Sequence, residues 1–403
     1  MRKSTSALFT VLALWLCDIS SADQWPRFRG PGGAGVSTLK GVPATWNESD
    51  FEWKVELPGI GHSSPVIWDD KLFLTTGTED GTRTLRGFNA LTGKELWHQS
   101  INLGTNKLHK KNSYASGSAA ADAERVYISH ADTGENLVIA YTHDGQEVWR
   151  YKVGSFAGQH GQGISPIVYN GLLIVPNDQD GPSSIVALNA KTGDVVWTAD
   201  RPSREVSYST PFIHDVGGNP QLICLSGITG LAALDPRNGQ TIWSGAPLAQ
   251  RTVGSPVSAG GRIFAVCGQG WRGTLMMGVD PTAPNAEPIL VKKGIPYVPT
   301  PIGKGDRLFL WTDDGFAACL DVKTQKELWR SRVGGNYTAS PILIDDKIYA
   351  VGEDGQVAVV AAEDEYKLYG KSPIGDNSFA TPAVANGRVY FRGFHSLVSL
   401  KAK

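Results

Sequence analysis

The sequence lacks any excess of charge of one sign. Its 403 residues carry 38 Lys and Arg against 39 Asp and Glu, for a net charge of −1. A groove for nucleic acid or a face for an anionic membrane would need a basic excess, so neither partner is indicated. Methionine is also scarce, at 3 residues, whereas glycine (47) and tryptophan (12) are frequent. This composition favours many short strands joined by turns over a helical bundle.

Cysteine is sparse and widely spaced. After Cys17, the chain contains Cys224, Cys267 and Cys319, with no CxxC, no CxxCH and no two cysteines adjacent. Covalent haem attachment is therefore not indicated. We expect thiols buried in strands, with at most one disulfide, because cysteine is among the most buried residue types.

Long apolar runs are absent except near the N-terminus. Arg2 and Lys3 precede an apolar run from Ala7 to Cys17, and Ser20-Ser21-Ala22 follows it. This pattern predicts a signal peptide over residues 1–22, cleaved after Ala22. The run is shorter than the roughly 20 residues that span a bilayer, and no later segment is long enough either. Bulky Leu16 before Cys17 argues against a lipoprotein. We therefore expect a periplasmic or secreted protein without a membrane span.

Two signals repeat along the rest of the chain. One is a hairpin such as NAKTGDVVW at Asn189, which ends in tryptophan. The other is a Ser-Pro or Thr-Pro pair upstream of the hairpin, and a gap in this series is filled by SGSAAAD at Ser116. The prolines are Pro65, Pro166, Pro211, Pro256, Pro301, Pro341 and Pro382. Together they define eight units of about 40 to 53 residues, the period of propeller blades.

Each unit is predicted to form four short strands. Glycine in the last hairpin supplies the positive φ of a bulged turn, and the tryptophan four residues later is expected to fill the wedge between neighbouring blades. Blade five lacks both residues. The predicted blade-docking residues are Trp53, Trp97, Trp149, Trp197, Trp243, Trp329 and, replacing tryptophan in blade seven, Tyr369.

The ends of the chain are predicted to close the ring. The last unit stops at VSLKAK after three strands, while FEWKVELPG near the N-terminus is a tryptophan strand without a blade. Pairing them hides both open sheet edges. We therefore predict an all-β, eight-bladed β-propeller of four-stranded antiparallel blades over residues 46–403, preceded by an extended arm over residues 23–45.

The Ser/Thr-Pro pair and the hairpin [LV][DN]xxTGxxxW resemble the repeat of the pyrroloquinoline-quinone (PQQ)-type eight-bladed propellers over nearly the whole mature chain. That superfamily includes quinoprotein dehydrogenases, which hold PQQ and a calcium or lanthanide ion in the central funnel. It also includes BamB-like secreted propellers, which are non-catalytic and bind polypeptides or other partners. Members of the dehydrogenase class resemble one another in a disulfide between adjacent cysteines that lies against the quinone. No two cysteines are adjacent in this sequence, which is therefore more similar to the BamB-like class.

The carboxylates of this sequence do not form a recognisable set of metal ligands. A hard cation needs several converging oxygen ligands. The candidates fall in turns between the second and third strands, where Asp-Gly pairs serve turn formation. They are Asp178, Asp180, Asp313, Asp314, Glu353 and Asp354.

The residues just before each Ser/Thr-Pro pair are the candidates for ligand contact at the mouth of the central funnel. They form an aromatic and polar set that suits stacking and hydrogen bonding more than metal chemistry. The set is His62, Tyr114, His160, Gln162, Tyr208, Arg251, Tyr297, Tyr337 and Phe379. Neither histidine has a nucleophile or carboxylate at telling spacing, so no catalytic or metal-ligating residue is assigned.

These observations predict an exported propeller that acts as a monomeric binding or scaffold module for a protein or peptide partner in the cell envelope, with no cofactor and no nucleic acid. The main alternative is a minimal PQQ-dependent oxidoreductase with calcium that acts on alcohols or sugars. A carbohydrate-binding propeller is a third possibility.

Overall fold

The computed structural model describes residues 24–202, 205–270 and 272–403. Within them, the strands form eight sheets of four antiparallel strands, one of which gains a short parallel strand from the arm. The predicted signal peptide lies outside the described residues and stays a prediction. Helical structure in the described residues is confined to two 3-10 turns, Pro31–Gly33 and Glu48–Asp50. Neither is long or apolar enough to cross a bilayer.

The first four blades follow one another along the chain, each running from an inner to an outer strand. Their strands are β3 (Val66–Trp68), β4 (Lys71–Gly77), β5 (Thr82–Asn89) and β6 (Glu95–Asn102); β7 (Ala120–Ala121), β8 (Arg125–Ala131), β9 (Asn136–Thr142) and β10 (Glu147–Gly154); β11 (Ile167–Tyr169), β12 (Leu172–Asn177), β13 (Ser183–Asn189) and β14 (Val195–Arg201); β15 (Phe212–Val216), β16 (Asn219–Ser226), β17 (Gly230–Leu234) and β18 (Thr241–Ser244).

The last four blades repeat the pattern, and the eighth takes its outer strand from the N-terminal side. Their strands are β19 (Val257–Ala259), β20 (Arg262–Gln269), β21 (Arg272–Val279) and β22 (Ile289–Val291); β23 (Ile302–Lys304), β24 (Arg307–Trp311), β25 (Phe316–Asp321) and β26 (Lys326–Arg332); β27 (Ile342–Ile344), β28 (Lys347–Val351), β29 (Gln356–Ala361) and β30 (Leu368–Pro373); β31 (Ala383–Ala385), β32 (Arg388–Arg392), β33 (Ser396–Lys401) and β2 (Phe51–Glu56).

The ring closes through both ends of the chain. Strand β2 pairs antiparallel with β33, with Phe51 opposite Leu400 and Val55 opposite Leu397. Inner strand β3 of the first blade packs beside β7 on one side and β31 of the last blade on the other. The predicted eight-bladed architecture is confirmed, and closure leaves no unpaired first or last blade.

The outer hairpins follow the predicted turn chemistry. In blade three, the Asn189 side chain accepts hydrogen bonds from the amides of Lys191 and Thr192, and Gly193 adopts a φ of 80°. The register between β13 and β14 then shifts by one residue before Trp197. This β-bulge leaves the preceding residue, Val196, exposed while Trp197 is buried.

The tryptophans link neighbouring blades through the turn glycines. A Cβ on Gly193 would lie 2.7 Å from the Trp149 ring of the preceding blade, so only glycine leaves room for it. The Trp149 indole also donates a hydrogen bond to the Ala190 carbonyl in the same turn. Three more turn glycines contact the tryptophan of the preceding blade in this way: Gly93 with Trp53, Gly145 with Trp97, and Gly239 with Trp197. The turn glycine therefore serves both the backbone conformation and the blade contact.

The remaining blade junctions vary. Trp329 donates to the Glu363 carbonyl of the next blade. Trp243 faces blade five, which lacks the turn glycine, and its indole donates instead to the Gln221 side chain of its own blade. Tyr369 is half-buried, with the ammonium groups of Lys347 and Lys367 near its ring.

A candidate ligand funnel at the centre of the ring

The Ser or Thr residues of the Ser/Thr-Pro repeat connect neighbouring blades at the centre of the ring. At six of the eight junctions between described blades, the Ser or Thr hydroxyl of one blade accepts a hydrogen bond from the amide of the corresponding residue in the preceding blade. For example, the Ser340 hydroxyl accepts from the Thr300 amide, and the Thr381 hydroxyl accepts from the Ser340 amide. We call the eight residues the hydroxyl ring: Ser64, Ser118, Ser165, Thr210, Ser255, Thr300, Ser340 and Thr381. Blade two has lost the proline but keeps the hydroxyl of Ser118, which accepts from Ser64.

The N-terminal arm occupies the central channel on one side of the hydroxyl ring. Trp25 exchanges two backbone hydrogen bonds with Ile67 on β3, and Pro26 accepts one from Ala121 on β7. The short strand β1 (Val36–Ser37) then pairs in parallel with β27 of blade seven. All these partners follow the hydroxyl ring along the inner strands. The arm therefore spans the channel and closes it at that level.

Two buried arginines fasten the arm. Arg29 donates to the carbonyls of Pro301 and Pro341 at 2.9 and 3.0 Å, and Arg27 donates to the Pro211 carbonyl at 2.7 Å. No described carboxylate is among their hydrogen-bond acceptors. Burial lowers the pKa of both guanidinium groups to about 9, and in Arg29 the neighbouring charge of Arg27 adds to this effect. Both remain charged at neutral pH, so the channel carries two cations held by carbonyl dipoles.

A cavity of about 620 Å³ lies on the other side of the hydroxyl ring. Phe28 of the arm and seven ring residues, all except Ser255, line its base. Loops between β6 and β7 and between β10 and β11 form part of its wall, together with loops of blades four and five. We call this space the funnel cavity. Of the nine residues predicted to contact a ligand, six line it: His62, His160, Tyr208, Arg251, Tyr297 and Phe379.

The other three predicted contact residues point elsewhere. The Tyr114 hydroxyl donates to the Asn106 carbonyl, and Arg83 lies over its ring. The Gln162 side chain donates to the Ile164 carbonyl. Tyr337 is 2% exposed and packs edge-on against Trp311. Equivalent positions in the repeat thus differ in direction, because the loops before the inner strands differ in length and conformation.

Several lining residues were missed by the sequence reasoning. His109 and Lys111 come from the long loop between β6 and β7, Glu205 from the loop before blade four, and Phe28 from the arm. None belongs to the repeat. The unusual length between Asn102 and Ala120 was the only signal for the first two residues, and nothing in the sequence placed Phe28 in the channel.

Ion pairs bridge the mouth of the funnel. Lys111 reaches across the ring to the Glu353 carboxylate of blade seven at 2.5 Å. Arg251 pairs with Glu205 at 2.8 Å. The loops between β6 and β7 and between β10 and β11 meet where the His109 ring packs edge-on against His160, with centroids 4.9 Å apart.

The histidines of the funnel are held neutral by their surroundings. Burial lowers the pKa of His62 to about 3, assisted by the nearby charge of Arg392, and the ring packs against Phe379 and Phe394. Burial also lowers the pKa values of His109 and His160, and the charge of Arg251 contributes in both cases. At neutral pH these side chains therefore act as polar aromatic surfaces.

The residues present do not fit a calcium–quinone centre of the kind that dehydrogenases hold. In the described ranges, no group of three or more His, Cys, Asp or Glu side chains could hold a metal ion. Of the candidate acids, Asp178 is paired with Arg201 at 2.7 Å, and Asp313 accepts hydrogen bonds from the amides of Tyr297 and Val298. The three described cysteines, Cys224, Cys267 and Cys319, are free and buried in separate strands.

Solved structures of known proteins share this fold. BamB from Moraxella catarrhalis superposes with a TM-score of 0.61 at 15% identity, covering 87% of this chain and 98% of that one. The quinohemoprotein alcohol dehydrogenase from Comamonas testosteroni superposes with a TM-score of 0.67 at 14% identity, covering 95% and 81%. At such identities the likeness shows the fold alone.

Comparison of sequences identifies the family within this fold. The outer membrane protein assembly factor BamB of Shewanella oneidensis is 22% identical over 338 residues, which cover 79% of this chain and 66% of that protein. BamB of Yersinia pestis is 24% identical over 244 residues, covering 59% and 56%. The chain thus spans less than two thirds of the length of these relatives. Residues 83–286 and 271–369 match the sequence model of a protein family, which is described as outer membrane protein assembly factor BamB. By this match over more than half of its length, the chain belongs to the BamB family of eight-bladed propellers.

Proposed function

We propose that this protein is an exported scaffold that binds a protein or peptide partner in the cell envelope, with the funnel cavity as a contact site. The observation that carries the proposal is the cavity itself. Its wall combines aromatic rings with hydrogen-bonding groups, and the arm closes its base. Concave surfaces that combine aromatic rings with oriented polar groups are typical of ligand sites.

The family supports the same function. The relatives from Shewanella and Yersinia are named as outer membrane protein assembly factors. The predicted signal peptide over residues 1–22 would direct this chain to the cell envelope. We keep the division into signal peptide, arm and propeller as part of the proposal.

Photo-crosslinking in intact cells tests this function. A benzoylphenylalanine at Phe379, in the funnel wall, is expected to form adducts with envelope polypeptides, identified by mass spectrometry. The matched control places the same group at Val196, which is 48% exposed on an outer strand. Adducts at Val196 with none at Phe379 would show that the partner binds elsewhere.

The oxidoreductase alternative makes a separate prediction. We expect no saturable binding of PQQ with calcium, because the described lining of the funnel contains one carboxylate, Glu205, which already pairs with Arg251. A hard cation needs several oxygen ligands. Isothermal titration with PQQ and calcium, followed by dye reduction with simple alcohols and sugars, measures this. Micromolar binding with turnover would replace the scaffold proposal by an enzymatic one.

A further inference from the structure

The base of the funnel cavity presents a group of hydrogen-bond donors. Seven hydroxyls of the ring line its base. Most accept the amide of a neighbouring blade, as Ser118 and Ser340 do. Among the described residues, none of the seven hydroxyls donates its proton to a protein acceptor. Each therefore has a proton available for a ligand.

One nitrogen donor in the wall is also unused. Nε of Arg251 is buried and lacks a hydrogen-bond partner among the described residues. Arg251 lines the cavity. Nδ1 of His62, in the same wall, donates only in the tautomer that carries the proton there. A buried polar group without a partner is unfavourable, so a ligand acceptor at the Arg251 nitrogen would recover free energy.

Positive charge lies directly beneath the donors. Arg29 bonds the carbonyls of Thr300 and Pro301, and Arg27 bonds that of Pro211, next to Thr210. These guanidinium groups therefore lie one peptide unit below the hydroxyl ring, in a site shielded from water. Charges act strongly in such an environment, and here both favour an anion in the cavity.

We infer that the funnel cavity binds a carboxylate, placed on the hydroxyl ring with an apolar group beside it. Phe28 in the base and Phe379 in the wall provide the apolar surface, which favours an organic acid over inorganic phosphate. Two sources share this chemistry: the C-terminal carboxylate of a peptide and a free organic acid. The peptide source rests on the proposed function; the carboxylate site does not.

The first experiment compares an acid with its amide on the whole mature protein. The probe is a fluorescein-labelled octapeptide of Gly and Ser that ends in leucine, with a free carboxylate or a carboxamide, measured by fluorescence polarisation. We expect the acid to bind at least about tenfold more tightly, since hydrogen bonds to a charged group are the strong ones. Equal affinities would overturn the carboxylate site while leaving peptide binding intact.

Competition binding distinguishes a peptide C-terminus from a free organic acid as the source of the carboxylate. N-acetyl-leucine is titrated against the peptide, and its direct binding is measured by calorimetry. Binding of N-acetyl-leucine but of neither peptide would support the carboxylate site and contradict the peptide-binding function. Tighter binding of the peptide acid supports both. Displacement by inorganic phosphate at lower concentrations than by N-acetyl-leucine would contradict the inference.

Two substitutions test the donors without breaking the ring. The hydroxyls of Ser64 and Thr210 accept no described amide, so Ser64→Ala with Thr210→Val removes two donors and no contact between blades. We expect about tenfold weaker binding of the acid and no change for the amide. The control is Ser255→Ala, because the Ser255 hydroxyl accepts the Thr210 amide but does not line the cavity. An equal loss in the control would assign the ring a structural role only.

Discussion

The outer rim and the central channel of this propeller are built by the same repeat but held together differently. At the rim, one tryptophan contact recurs at successive junctions, as with Trp149 on Gly193. In the channel, regular hydroxyl-to-amide bonds surround an irregular occupant, the arm, whose Arg29 bonds carbonyls of different blades. Repetition thus stabilises each pair of neighbours, whereas a single non-repeated segment connects blades that are far apart in sequence.

The rim and the channel also differ in how much variation in their contacts they tolerate. A blade junction can vary, as at Trp243, where the indole bonds Gln221 instead of the next blade. The channel tolerates less variation, because buried guanidinium groups need every carbonyl that they bond. The side chains that face the funnel cavity come mainly from loops outside the regular strands, where function commonly lies.

Removing the arm's central contact should have the largest effect. Arg29→Met is expected to reduce the free energy of unfolding by at least about 3 kcal/mol, since each buried acceptor left unsatisfied costs about 1–3 kcal/mol. Urea unfolding followed by tryptophan fluorescence measures it. The control Arg237→Met changes an exposed arginine in an outer turn and should leave the midpoint unchanged. A variant as stable as the parent would mean that the arm does not fasten the ring.

Two glycines with similar backbone conformations allow the contribution of the glycine–tryptophan contact at the rim to be measured separately. Gly193 and Gly171 both have positive φ, 80° and 75°, but only Gly193 lies against a tryptophan ring; a Cβ on Gly171 would meet nothing within 4 Å. We expect Gly193→Ala to cost about 1–3 kcal/mol more than Gly171→Ala, because it adds overpacking to the shared backbone strain. Thermal or urea unfolding of both variants gives the difference. Equal losses would indicate that the turn needs glycine for its φ alone.

The smallest effect concerns acid stability in blade two. Burial lowers the pKa of His130 to about 3, with a further contribution from Arg83. The unfolded chain therefore binds a proton below pH 6.5 that the folded protein does not, so stability falls as the pH drops from 6.5 towards 3. His130→Asn should reduce this slope by about 1.4 kcal/mol per pH unit.

Urea midpoints between pH 7 and 5 measure the slope. His98→Asn serves as the control, since His98 is exposed on an outer strand. A slope that is the same in His130→Asn and the parent would contradict the burial of a neutral histidine there.

The sequence predicted the repeated parts well for a physical reason. Each blade must close one hairpin and fill one wedge, so a glycine and a tryptophan such as Gly193 and Trp197 recur with a fixed spacing that can be read along the chain. The closing strand could be recognised because Trp53 belongs to the same pattern. Where a blade lost the pattern, as in blade five, the sequence revealed the loss but not that Trp243 would bond Gln221.

The funnel could be predicted only in part. Six of nine expected residues line the cavity, but Tyr114, Gln162 and Tyr337 turn away from it, because the direction of a side chain in a loop depends on packing that the repeat does not specify. Lys111 and Glu353 are 242 positions apart, and only closure of the ring brings them together.

The sequence by itself determined the number of blades, the closing strand and the tryptophans that fill the wedges at the rim, since these are local patterns repeated at fixed intervals. The tertiary structure alone decided that the arm fills the channel and that donors gather above its arginines. Residues such as Phe28 and Arg29 act through partners in distant blades, and no local pattern in the sequence encodes such contacts.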